Sequence, residues 1–159
     1  MSKLIVFFSY TGNTRIIAKK IKEKLDCDIL EIKTKVPYSN DYDTVVNDEQ
    51  NQEASDFLPE IQEIGVELSK YDEIILGTGV WWYRPTPAIR TFLTQNDLSG
   101  KKIIPFATNA GWLGKTFKEI KKMCPNSNVQ KEMNIVFEVY SNVLVTPQKE
   151  IDKWIECIK

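Results

Sequence analysis

Residues 9–14 read Ser-Tyr-Thr-Gly-Asn-Thr, directly after the apolar run Leu4–Phe8. Four hydroxyl groups, one glycine and one amide meet where an oily segment stops. If a helix starts there, its first backbone N–H groups have no partner inside the helix. The helix's partial positive end lies at the same point and favours an anion. Gly12 tolerates a positive φ and lets the backbone approach a ligand closely. Ser9, Tyr10, Thr11 and Thr14 bring hydroxyl groups and Asn13 an amide, but the loop holds no lysine. The GxxxxGK[ST] pattern of a nucleotide-triphosphate loop is therefore absent. The donor set suits one terminal phosphate held by neutral groups. An ordinary helix cap would account for the same spacing equally well.

Two further segments carry binding chemistry. Gly79-Val80-Trp81-Trp82-Tyr83-Arg84-Pro85 follows the apolar run Glu73–Val80. Successive strand side chains alternate in direction, so three adjacent aromatics cannot all point inward. At least one is expected to be exposed, or to cover something flat. Thr108-Asn109-Ala110-Gly111-Trp112-Leu113-Gly114 follows Lys102–Ala107. Its glycines and Asn109 permit tight backbone geometry, its N–H groups could read the polar edge of a heteroaromatic ring, and Trp112 offers another flat surface.

The composition removes other chemistry. The chain of 159 residues has no histidine, which excludes Ser-His and Cys-His nucleophiles and the commonest zinc ligand. Any reaction would then be carried by a cofactor. Cys27, Cys124 and Cys157 show no metal-ligand spacing and read as reduced packing thiols. Apolar residues make up 42%, charged residues 27%, and the net charge is -1. That balance points to neither nucleic acid nor a membrane surface as a partner. No apolar run nears the ~20 residues that span a bilayer, and the N-terminal segment lacks a signal-peptide pattern. The expectation is a cytoplasmic protein of one domain over residues 1–159, a monomer with a dimer as the alternative.

The elements that must position these loops follow from periodicity. Leu4–Phe8, Glu73–Val80 and Lys102–Ala107 are continuous apolar runs, the pattern of strands covered on both faces. Cys27–Ile32 alternates and reads as a strand nearer an edge. A fifth strand lies within Asn134–Val145. Helical spacing is expected over Thr14–Leu25, Asp41–Ala54, Pro87–Asn96 and Lys115–Cys124, with a last helix opened by Thr146-Pro147. Pro59–Leu68 is read as a short helix or loop. Strands alternating with helices call for a parallel sheet with helices on both faces, an α/β fold. Ligands of such sheets bind outside the carboxyl ends of the strands, where all three loops fall.

A phosphate grip beside two aromatic, glycine-bearing loops suggests a phosphorylated planar cofactor. Here the chain resembles the flavodoxins, above all the short-chain branch with an SxTGNT loop, a WW after the third strand and a PFxTxxG-like segment after the fourth. Ser9–Thr14, Trp81-Trp82 and Pro105-Phe106-Ala107-Thr108 with Gly111 carry the likeness. It implies a flavodoxin-like three-layer sandwich with a five-stranded parallel sheet in the order 2-1-3-4-5. It also implies an FMN-binding electron carrier served by a reductase and an acceptor protein. Carried over, Ser9, Thr11, Gly12, Asn13 and Thr14 would hold the phosphate, with Tyr10 of the same loop also at the cofactor. Gly79, Val80, Trp81, Trp82, Tyr83 and Arg84 would line one side of the ring, and Thr108, Asn109, Gly111 and Trp112 the other. The branch usually has proline where Gly79 stands and glycine where Tyr83 stands. Negative charge near the ring disfavours the reduced flavin anion, so Arg84 is expected to make reduction easier here. The alternatives are an FMN-dependent NAD(P)H quinone or nitro reductase, and a regulatory or interaction module without flavin. A phosphorylated receiver domain needs an aspartate where Ser9-Tyr10 stands.

Overall fold

The computed structural model of the chain describes residues 2–38 and 58–159. In chain order the elements are β1 (Lys3–Phe7), α1 (Asn13–Lys24), β2 (Asp28–Glu31), β3 (Glu73–Trp81), β4 (Arg84–Pro85), α2 (Pro87–Gln95), β5 (Lys102–Asn109), α3 (Thr116–Met123), β6 (Asn128–Val129), β7 (Met133–Val136) and α4 (Gln148–Ile158). The helix expected over Asp41–Ala54 lies outside the described residues. Within Pro59–Leu68 no helix forms; Ile61 bridges Thr34 instead, and a short 3₁₀ turn occupies Leu68–Lys70.

Period-2 alternation explains the layers. Leu4, Val6 and Phe8 join one apolar cluster with Ile89 and Phe92 of α2 and Ile120 of α3. Ile5 and Phe7 join another, with Ile17 and Ile21 of α1 and Ile151 and Ile155 of α4. Each face of the sheet is thus covered by helices, which is why the central strands are apolar throughout. The parallel strands run β2-β1-β3-β5, and β6 and β7 share the far side of β5. With β6 and β7 as one interrupted strand, this is the expected order 2-1-3-4-5.

The interruption has a physical reason. β6 pairs with Lys102 and Ile103, and β7 with Phe106–Asn109, so the break falls opposite Ile104-Pro105. A proline has no N–H to give to a ladder there. In the break Lys131 takes φ 54°, and its carbonyl accepts from Trp154 Nε1 at 2.7 Å. The fifth strand therefore starts earlier than the expected Asn134–Val145 and ends at Val136. After it the chain turns back on itself, with Glu138 N–H donating to the Val143 carbonyl at 2.8 Å.

Gly77 makes the close approach that seats Phe106: a Cβ at residue 77 would lie 2.4 Å from Phe106 Cζ. Both residues are in the core of the sheet, where overpacking costs about 1–3 kcal/mol. Gly77→Ala is expected to destabilise by that amount in urea unfolding, and Gly77→Ala/Phe106→Leu to recover part of it. No recovery in the double variant would contradict the contact.

Cys27 and Cys124 are buried and Cys157 is exposed. Burial raises the Cys27 thiol and pushes that of Cys124 up to about 11. Only the thiolate reacts. At about pH 8 a thiol reagent is expected to modify Cys157 alone in the native protein and all three cysteines in denaturant. Rapid native labelling of Cys124 would contradict this.

Candidate functional site

The loop Ser9–Thr14 joins β1 to α1. Gly12 sits at the helix N-cap with φ 100°, a left-handed conformation that suits glycine. Ser9 Oγ accepts from Gly12 N–H at 3.1 Å and from Arg15 N–H at 3.3 Å, so the serine folds the loop from beneath. Among the described residues no acceptor engages the N–H groups of Thr11, Asn13 and Thr14. Thr14 is buried, and its hydroxyl shares a 2.7 Å hydrogen bond with that of Thr108 at the end of β5. That bond ties the first loop to the third. Arg15, the nearest cation in sequence, lies against the loop, its Nη1 3.9 Å from where a Cβ at Gly12 would stand, and its guanidinium pairs with Glu31 at 2.6 Å.

The second loop is a tight hairpin. Val80 pairs with Pro85 and Trp81 with Arg84, leaving Trp82 and Tyr83 as its two turn residues. Both have positive φ, 52° and 65°, the signature of a type I′ turn that normally takes Asn-Gly. Trp81 packs into an edge-on aromatic cluster, 5.0 Å from Tyr38, 5.8 Å from Tyr10 and 6.1 Å from Phe8 between ring centroids. Trp82 is 37% and Tyr83 54% exposed. The alternation expected of adjacent aromatics is met: one tryptophan packs and the other faces outward.

In the third loop Asn109 Oδ1 accepts from Gly111 N–H at 2.8 Å, and its Nδ2 donates to Asn134 Oδ1 at 2.7 Å. Trp112 is 55% exposed. The three loops meet at one cleft of about 700 Å³, within the usual ~300–1,000 Å³ of small-molecule sites. Tyr10, Thr11, Asn13 and Thr14 reach it from the first loop, Gly79 to Tyr83 from the second, and Thr108, Asn109 and Trp112 from the third. Ser9, Gly12 and Gly111 stand back from it as backbone supports. Arg84 is placed otherwise than expected. It does not line the cleft, and its Nε donates to Glu119 Oε2 of α3 at 2.9 Å, so its charge is largely compensated.

A fourth wall escaped the sequence reading. Residues 137–142, after β7, line the cleft together with Thr86 and Ala110. Asn13 Nδ2 donates to the Ser141 carbonyl at 3.0 Å, joining this turn to the phosphate-type loop. Among the described residues, Asn13 Oδ1 is buried without a hydrogen-bond partner. The sequence signal for this wall is the scatter of apolar residues over Asn134–Val145, which reads as strand. Here Val139 and Tyr140 line the cleft, and both are exposed, as is Val143.

Among the described residues no group of histidine, cysteine, aspartate or glutamate could hold a metal ion, and no helix is long and apolar enough to cross a membrane.

Comparison with known proteins agrees with this geometry. The family model described as flavodoxin matches residues 2–158. A flavoprotein from Lactobacillus acidophilus NCFM, solved in complex with FMN, is 25% identical; the alignment covers 96% of this chain and 97% of that one, with a TM-score of 0.77. A protein of Bacteroides eggerthii DSM 20697, provisionally described as a flavoprotein, is 27% identical over 99% of this chain and 97% of its own, with a TM-score of 0.78. The oxidised flavodoxin 2 of Bacillus cereus, 20% identical over 99% and 94%, shares the fold with a TM-score of 0.56. No curated protein matches the chain.

Left-handed backbone costs a non-glycine residue about 1–2 kcal/mol. Tyr83→Gly is therefore expected to stabilise the cofactor-free protein by about 1 kcal/mol in urea unfolding, after the entropy that glycine loses. A loss of stability would show that the tyrosine ring, not the turn, decides the balance.

Proposed function

The chain belongs to the flavodoxin family, and on that premise we propose that it binds FMN in this cleft and carries electrons between a reductase and an acceptor protein. The observation that carries the reading is the set of partnerless amides at the tip of α1 opening into an aromatic-walled cleft of flavin size. The N–H groups of Thr11, Asn13 and Thr14 would hold the phosphate, aided by the Thr11 hydroxyl and by the positive end of α1. Ser9 and Gly12 would act behind them by fixing the loop's shape. Trp82, Tyr83 and Trp112 would face the ring system, and Thr108 and Asn109 its polar edge. Bound FMN supplies one- and two-electron transfer; the protein supplies binding, orientation and electrostatics.

Each residue's contribution follows from its surroundings. Because Arg15 and Arg84 are held by Glu31 and Glu119, no uncompensated arginine biases the ring. The reduced cofactor's charge is then tuned mainly by exposure and by neutral dipoles. The earlier expectation that Arg84 eases reduction loses its basis with that ion pair. Exposed aromatic and aliphatic side chains at the rim favour docking of redox partners over an apolar surface, and a cytoplasmic setting with soluble partners fits this role. The same rim, with Trp112 and Tyr140 exposed, favours a second reading as an NAD(P)H quinone or nitro reductase.

The purified protein is expected to show oxidised-flavin absorbance, lost on heating with release of about one FMN per chain. NAD(P)H alone is expected to give no steady oxidation, and addition of a flavodoxin reductase to start it. A colourless preparation that also rejects added FMN would overturn the proposal. Steady NAD(P)H oxidation without a reductase would select the enzyme reading.

A further inference from the structure

The strained hairpin at residues 81–84 is held by α3 and by the segment leading into it. The Tyr83 carbonyl accepts from Lys115 N–H at 2.8 Å. Arg84 Nε donates to Glu119 at 2.9 Å. Gly114, with φ 55°, lies so close that a Cβ there would stand 2.3 Å from Tyr83 Cβ and 2.8 Å from its Cα and carbonyl oxygen. Glycine at 114 is required twice over, by its backbone conformation and by the approach of residue 83.

Backbone strain persists only where the surroundings over-determine it. Here two adjacent bulky residues share left-handed geometry, and three separate contacts pin them. We propose that Gly114, the Lys115 amide and Glu119 are positioning residues: they clamp the hairpin so that Trp82 stands as a pre-formed wall for the planar ring of the cofactor. The clamp acts on the ring end of the site and leaves the phosphate end untouched. A wall held in place before binding spares the ligand the cost of ordering it.

This inference rests on the FMN reading of the cleft, and its test separates the two. FMN and riboflavin differ only in the phosphate, so the ratio of their affinities reports the phosphate grip alone. Dissociation constants for both would be measured on the cofactor-free parent, Gly114→Ala and Glu119→Gln, by quenching of flavin fluorescence. Visible circular dichroism of the bound flavin and urea unfolding would accompany them. An aromatic wall contributes about 0.5–1.5 kcal/mol beyond its area, a factor of about two to twelve. Gly114→Ala is expected to weaken both ligands about tenfold and Glu119→Gln about threefold. The FMN-to-riboflavin ratio should stay within twofold of the parent, while the flavin dichroism changes. Riboflavin affinity and dichroism unchanged in Glu119→Gln would overturn the clamp, and so would a ratio that collapses in step with stability. If Gly114→Ala does not fold, Glu119→Gln alone decides. A parent that binds neither ligand fails the FMN reading instead.

Discussion

The first turn of α1 has more hydrogen-bond donors than acceptors. The N–H groups of Thr11, Asn13 and Thr14 point out of a helix end that cannot use them, and Ser9 takes the neighbouring pair. A buried amide without a partner costs about 1–3 kcal/mol, so this end is tolerable only if it meets water or an anion. The surrounding structure keeps that deficit open. Glu31 pairs with the Arg15 guanidinium, the Ser141 carbonyl accepts from the Asn13 side-chain amide, and the Thr14 hydroxyl shares a bond with that of Thr108. Each partner engages a polar side-chain group that could otherwise have paired with the loop's amides.

The rest of the sheet edge follows from where that loop stands. Parallel order places the ends of β1, β3 and β5 side by side, so their three loops converge without any long excursion. The sheet also explains the division of labour between the tryptophans. Trp81 still belongs to β3 and packs with Phe8, Tyr10 and Tyr38, whereas Trp82 lies beyond the last paired residue and faces outward. The hairpin gains an exposed aromatic wall at the cost of strain, and Gly114 and Lys115 before α3, with Glu119 within it, offset that strain. Stability at one end of the helix layer is thereby coupled to the shape of the cleft.

Much of this was legible in the sequence. Runs such as Leu4–Phe8 and Glu73–Val80 are apolar on both faces, which only a covered parallel strand explains, and the loops they lead to carried the site. What stayed hidden depended on non-local pairing. The break between β6 and β7 arises opposite Pro105, and proline's effect there is felt by the neighbouring strand rather than its own. The turn at residues 137–142 reads as apolar strand because Val139, Tyr140 and Val143 are exposed against the usual pattern. Arg84 shows the limit of reading charge from position alone. It stands in a cleft-forming loop, yet Glu119, 35 residues on, claims its guanidinium.

The central claim is that neutral backbone donors at the tip of α1 grip a phosphate. Amide proton resonances of isotope-labelled, cofactor-free protein test it most directly, followed as FMN or riboflavin is added. The account predicts large downfield shifts at Thr11, Asn13 and Thr14 with FMN and small ones with riboflavin, while the indole signal of Trp82 responds to both. If those three amides stay still with FMN, or if both flavins move them equally, the tip of α1 does not grip the phosphate.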